Sequence, residues 1–148
     1  MSAIGKKRWR SGFSLLELMI VIVILGLLSA LVLPNLLGKA EQAKSKLVCI
    51  QMKQIEEALK SFRFDNGDYP TTEEGLAALL RNPDPEKYTN YAAGGYLDGK
   101  SVPKDPWKHP YIYIKEDDGI NLISLGADGK EGGEGNAADI TLKSCKVR

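Results

Sequence analysis

The sequence predicts an α+β fold: a long N-terminal helix packed on a small antiparallel β-sheet, with a short second helix and a glycine-rich acidic loop near the C-terminus. Three observations carry this. No charged residue occurs from Leu18 to Gly38, 21 residues, enough to cross a bilayer core as a helix. Apolar residues then recur at Val48, Met52, Ile55, Leu59 and Phe62, the one-faced stripe of a 3.6-residue period. Finally, Tyr111–Ile114 and Ile120–Leu125 flank Glu116-Asp117-Asp118-Gly119, a hairpin signal with Asp-Gly at the turn.

One helix is expected from about Ser14 to Phe64, roughly 75 Å long at 1.5 Å per residue. Its first half is apolar all round and its second half amphipathic, with Lys44, Lys46, Lys53, Glu56, Glu57 and Lys60 largely off the stripe. Pro34 falls inside it and should bend it, because proline cannot donate to the Ala30 carbonyl. Asp65-Asn66-Gly67-Asp68 ends the helix, with Asp65 and Asp68 expected as caps. Thr71-Thr72-Glu73-Glu74 before Gly75–Leu80 reads as an N-cap and first-turn acids of a short second helix. Asn82-Pro83-Asp84-Pro85 stops that helix, and Tyr88–Asp105 reads as a loop with room for one short strand. After the hairpin, Gly126–Ala138 is rich in glycine and acid.

Charge orients the chain and excludes some functions. The 20 basic and 19 acidic residues nearly cancel, but Lys6, Lys7, Arg8 and Arg10 precede the apolar run with no acid among them. The positive-inside rule therefore keeps the N-terminus cytoplasmic and exports the chain beyond Lys39. The apolar run exceeds the usual signal-peptide core and lacks an A-x-A site before a polar start, so a spanning helix is preferred to a cleaved secretory signal. The remaining body is mildly acidic, which argues against nucleic-acid binding. Cys49 and Cys145 are too few and too far apart for a disulfide scaffold or zinc knuckle. An oxidising compartment would let them join; the geometry that decides it is not legible in sequence.

Few residues suggest chemistry. Glu17 places a carboxylate near one end of an apolar helix, where a charge is expensive and usually functional; placement among headgroups is the plainer alternative. Asp128 and Asp139 offer carboxylates on a loop whose glycines let carbonyls turn inward. Both a solvated acidic loop and a cation site remain open from spacing alone, and the run is not an EF-hand. His109 has no Cys or His partner and reads as a turn residue. Ser14 has no base in reach. Trp107, Tyr111 and Tyr113 read as core and sheet. No catalytic constellation emerges, so the chain is read as a structural protein and not an enzyme.

Gly12-Phe13-Ser14-Leu15-Leu16-Glu17 before a long apolar helix resembles the class III leader of type IV prepilins and type II secretion pseudopilins. The resemblance implies a leader at 1–12, cleavage between Gly12 and Phe13 by a prepilin peptidase, and N-methylation of Phe13. It also implies a transmembrane and filament-core helix at 13–38 and a periplasmic domain at 39–148. Glu17 would pair with the new Phe13 amine of a neighbouring subunit, offsetting two desolvation costs together, and Pro34 falls where the family has its helix proline. The blocks Tyr69–Leu79, Pro103-Lys104-Asp105-Pro106-Trp107, Ser124–Gly129 with Glu131–Gly135, and Ala138-Asp139-Ile140 are similar to the major-pseudopilin family of type II secretion. The family's usual tryptophan after the last block is replaced here by Thr141-Leu142-Lys143-Ser144-Cys145, and the two cysteines are unusual.

That resemblance implies a calcium ion in the Gly126–Asp139 loop, held by the Asp128 and Asp139 carboxylates and the Leu125 carbonyl, with Glu134 and Asn136 as further candidates. It implies a subunit of the inner membrane, single-pass, that polymerises with its own copies into a periplasmic pseudopilus. Its partners would be minor pseudopilins and the inner-membrane secretion platform. A type IV pilin fibre subunit and a membrane-anchored, calcium-stabilised binding module are the rival readings.

Overall fold

The computed structural model describes residues 12–147. Helix α1, Leu15–Asn66, runs 52 residues, about 78 Å at the α-helical rise. Pro34 lies inside it and the helix continues through that position, at the loss of one backbone hydrogen bond. The chain falls into two units, Met1–Lys39 and Ala40–Arg148. In the first, Gly12 is the only residue of the expected leader 1–12 that is described; the cations at 6, 7, 8 and 10 lie outside the described residues. From Leu15 onward this unit is helical and its apolar side chains are exposed.

The second unit is built on the amphipathic half of α1. Val48, Met52, Ile55, Leu59 and Phe62 are all fully buried, the five residues of the expected stripe. Burial of each contributes about 1.5–3 kcal/mol. Phe62 is ringed edge-to-face by Tyr88, Tyr91 and Tyr96, with centroids 5.0, 6.0 and 5.3 Å away. These tyrosines fasten the loop that follows residue 80: the Tyr91 hydroxyl donates to the Ala78 carbonyl at 2.8 Å and that of Tyr96 to Asp65 Oδ2 at 3.0 Å. The short strand allowed for in Tyr88–Asp105 does not form; only a single bridge, Lys104 to Pro110, is made there.

The cap of α1 differs from expectation. Gly67, at φ +89°, donates its amide to the Arg63 carbonyl at 2.7 Å, while the Asn66 side chain donates to Phe62 O at 2.9 Å. Asp65 and Asp68 are therefore not the caps: Asp65 receives Tyr96, and Asp68 pairs with Lys115. The second helix is also altered. Thr71 and Glu74 do form a reciprocal cap, at 2.8 and 3.2 Å, but Gly75 follows at φ +61°, ψ −166°. That conformation cannot continue an α-helix, so only a 3₁₀ turn, Leu76–Leu79, is made.

Strands β1 (Ile112–Glu116), β2 (Gly119–Ser124) and β3 (Ile140–Thr141) form an antiparallel sheet in that order. Glu116 pairs with Gly119, so the two-residue turn is Asp117-Asp118 and not Asp118-Gly119. The observed register sets Tyr113 opposite Leu122, both buried. The expected turn would have set Tyr113 opposite Ser124, whose hydroxyl is committed to the buried Asp105, 2.7 Å away. Helix α2, Leu142–Lys146, closes the fold, capped reciprocally by Thr141 and Ser144. Neither β3 nor α2 is signalled by periodicity.

Candidate functional site

Two parts of the chain carry the residues for which the sequence suggests chemistry. The first is the start of α1. Ser14 caps it, its hydroxyl accepting the Glu17 amide at 3.1 Å, a role its lack of a base does not suggest. Glu17 lies in the first turn, where a carboxylate suits the helix dipole. Phe13 is 84% exposed. A Cβ placed on Gly12 meets nothing within 4 Å, so packing within the described chain does not require glycine there. Leu15–Asn66 is the one helix among the described residues long and apolar enough to cross a membrane, and none of its qualifying window is buried.

The second part is the loop from Leu125 to Asp139. Its two ends close on each other at Gly126, where a Cβ would come within 2.8 Å of the Ala138 carbonyl and 3.0 Å of that of Asn136. Gly126 also takes φ +67°, so a side chain is excluded twice over. The Ala127 amide donates to Asn136 O at 3.0 Å, and Gly135–Ala137 forms a 3₁₀ turn. Asp128 is exposed and accepts the Lys130 amide at 3.1 Å. Asp139 is half-buried: one oxygen accepts the Gly132 amide at 3.0 Å, and the other, Oδ1, is buried with no hydrogen-bond partner. Glu134 and Asn136 are exposed.

No group of three or more His, Cys, Asp or Glu side chains comes together as a metal site among the described residues. The loop's donors are instead two carboxylates and backbone carbonyls, all oxygen. An all-oxygen set on a flexible loop suits a hard cation such as calcium and not zinc. A buried carboxylate oxygen without a donor costs about 1–3 kcal/mol, and a cation beside Asp139 would relieve that cost. The residues present fit the ion.

Asp105 is a positioning residue that sequence reasoning missed. It is 1% exposed and gathers the loop before β1: Oδ1 accepts the amides of Trp107 and His109 at 3.0 and 2.8 Å. Oδ2 accepts Ser124. His109 is thereby held in its turn with Nδ1 3.1 Å from the Gly126 carbonyl, so one buried carboxylate fixes both β2 and the ring beside the loop. An Asp before Pro106-Trp107 hints at a turn, but nothing in sequence marks it as buried. Trp107 itself donates from Nε1 to Glu41 at 3.0 Å.

The cysteines lie together. Cys49 on α1 and Cys145 on α2 are disulfide-bonded, their Cα atoms 5.4 Å apart. Beside them Lys146 Nζ reaches Glu56, buried on α1, at 2.7 Å.

A capped, lipid-length apolar helix whose second half is the spine of a small α+β domain defines a class, the prepilin-like proteins. Residues 10–33 match the prokaryotic N-terminal methylation motif. Residues 35–143 match the model of type II secretion system protein G, and the chain belongs to that family. Type II secretion system core protein G of Vibrio cholerae is 47% identical over 137 residues, covering 91% of this chain and 92% of that protein. The Pseudomonas aeruginosa protein of the same name is 45% identical over 141 residues, covering 91% and 96%. The crystal structure of the major pseudopilin of enterohaemorrhagic Escherichia coli superposes with a TM-score of 0.58 at 34% identity, covering 73% of this chain and 93% of that one.

Proposed function

We propose that this chain is the repeating structural subunit of a periplasmic pseudopilus that serves type II secretion. The observation that carries the reading is the first half of α1, apolar on every side and covered by nothing among the described residues. Such a surface needs lipid before assembly and the helices of other copies afterwards. In this reading the subunit waits in the inner membrane with its N-terminus cytoplasmic and its Ala40–Arg148 domain exported. A prepilin peptidase cuts between Gly12 and Phe13, and the open space around Gly12 supports a demand for glycine that comes from the peptidase. Phe13 is N-methylated, and its amine pairs with Glu17 of a neighbour. Minor pseudopilins and the inner-membrane secretion platform are the other partners.

Calcium completes the exported domain in the same reading. The Asp128 and Asp139 carboxylates and the Leu125 carbonyl would hold it, with Glu134 and Asn136 as further candidates. The ion would supply positive charge to the buried Asp139 oxygen and tie the loop's two ends; this chain's own part is to hold those ends, through Asp105–Ser124 on one side and β3 on the other.

Glu17→Ala tests the assembly reading. The variant should insert and be cleaved to a Phe13 N-terminus by mass spectrometry, yet yield far fewer cross-linked ladders than the wild type. A normal ladder would leave Glu17 merely interfacial, and an unprocessed Met1 terminus would remove the leader.

A further inference from the structure

The least supported part of the exported domain is its closing segment, residues 140–146. β3 has two residues and pairs with β2 at two positions. α2 has five residues, far below the length at which a helix holds itself. Besides the disulfide, α2 is held by Leu142, 3% exposed, and by the ion pairs of Lys143, its side chain 72% exposed, with Glu116 and of Lys146 with Glu56. The Lys146 side chain is 59% exposed, and a pair with one partner so wetted contributes little. What fixes this segment is the covalent bond from Cys145 to Cys49, which sits next to the fully buried Val48 on α1.

The same segment ends the Gly126–Asp139 loop. Ile140 of β3 follows Asp139 directly. The loop's other end is secured independently, by β2 and the buried contact of Ser124 with Asp105. The bridge therefore acts on the one loosely held end. It spans 96 residues of sequence and so encloses the 3₁₀ turns, the hairpin and the loop. Both cysteines are half-buried, open enough for an oxidant.

We propose that Cys49 and Cys145 are a post-export oxidation site, where a thiol–disulfide oxidoreductase of the exported compartment fastens the closing end of the Gly126–Asp139 loop. This rests on the export of the Ala40–Arg148 domain proposed for the subunit. The Cys145 thiolate, on the short terminal helix, attacks the oxidant's disulfide and expels one of its sulfurs as a thiolate. The Cys49 thiolate then attacks Cys145 Sγ in that mixed disulfide and expels the second. One S–S bond forms in this chain and one breaks in the oxidant. Two electrons and two protons leave the cysteines, and the oxidant departs as a dithiol.

Amide hydrogen exchange on the full chain in detergent micelles, with chelator present throughout, tests the fastening without reference to calcium. Reduced wild type and Cys145→Ser should exchange at residues 126–146 about tenfold or more faster than the oxidised chain, as a local opening would. The amides of Val48–Phe62 report that the domain is still folded and should keep their protection. Oxidised Lys146→Ala should exchange like the wild type. Equal exchange in oxidised and reduced chains with the α1 amides protected would overturn the fastening. In cells lacking the exported thiol oxidant, the chain should carry two alkylatable thiols without reduction. A fully bridged chain from those cells would overturn the oxidoreductase. Absence of filaments from the oxidised wild type itself would count against the pseudopilus reading alone, since neither readout depends on assembly.

Discussion

The large apolar residues of the two halves of α1 meet opposite fates. Leu25, Leu28 and Leu31 are 58, 54 and 73% exposed, whereas Ile55, Leu59 and Phe62 are wholly buried. The difference lies in what shares the helix with those residues and in how they are arranged. In Ala40–Asn66 the apolar residues lie on one face, and the chain supplies what covers them: three tyrosines, the 3₁₀ turn and the sheet. In Leu15–Lys39 they lie on every face, and no single element could cover them all. One half takes its stability from inside the molecule; the other takes its purpose from outside.

The most severe test of that contrast is Phe62→Ala. Removing a fully buried ring at the meeting point of three tyrosines should destabilise the Ala40–Arg148 unit by about 3–5 kcal/mol, read from denaturant unfolding of the full chain in micelles. A loss under about 1 kcal/mol would mean that the core is centred elsewhere.

The proposed calcium site would sharpen the contrast, because it would place an outside contribution within the inward-looking region. Calcium at 100 times its dissociation constant should stabilise the folded domain by about 2.7 kcal/mol, and Asp139→Ala should abolish the response. Magnesium should do much less, since it gives up water reluctantly. Identical melting curves in calcium and in chelator would return the loop to solvent.

How much of the molecule was legible in sequence tracks the length of each signal. The stripe from Val48 to Phe62 spans four turns, and every one of its five residues is buried. The hairpin was legible but its turn was not, because the register answers to Ser124 and Asp105, partners remote in sequence. Thr71 and Glu74 announced a helix that Gly75 then denied. β3 and α2 are too short to show any period; only the Thr141–Ser144 cap and Cys145 could have marked them. Within the loop, the spacing of Asp128 and Asp139 was visible, whereas the buried, partnerless Oδ1 of Asp139 is a property of packing.

A smaller effect is expected from Glu74. Burial opposes its charge, but hydrogen bonds from the Tyr88 hydroxyl at 2.6 Å, the Thr71 amide and Lys87 hold its carboxyl below the usual range. A depressed carboxyl contributes stability above its unfolded value, and that contribution is lost as pH falls through the folded one. Wild type should therefore lose more stability than Glu74→Gln as the pH drops below the ordinary glutamate value of about 4.3. Parallel acid limbs for the two proteins would show that the Thr71 cap and Tyr88 do not depend on the charge.

The smallest expected effect is the most telling, because it should be almost nothing. Leu28→Ala removes as many carbons as a costly core truncation, but Leu28 is 54% exposed and lies outside the Ala40–Arg148 unit. No enclosed cavity forms where more than half of a side chain is already open, so the cavity cost of a buried leucine does not arise. Exchange of the Val48–Phe62 amides in micelles should match the wild type to within about 0.5 kcal/mol. The helix should not fray either, since alanine has the higher helix propensity. If the surface is later covered by neighbouring subunits, the missing carbons will matter only there, as a drop in cross-linked ladders from a subunit whose own domain is unchanged. A shift of several kcal/mol in the Ala40–Arg148 unit would break the comparison, because stability would then pass along α1 from a half whose described apolar residues are all exposed.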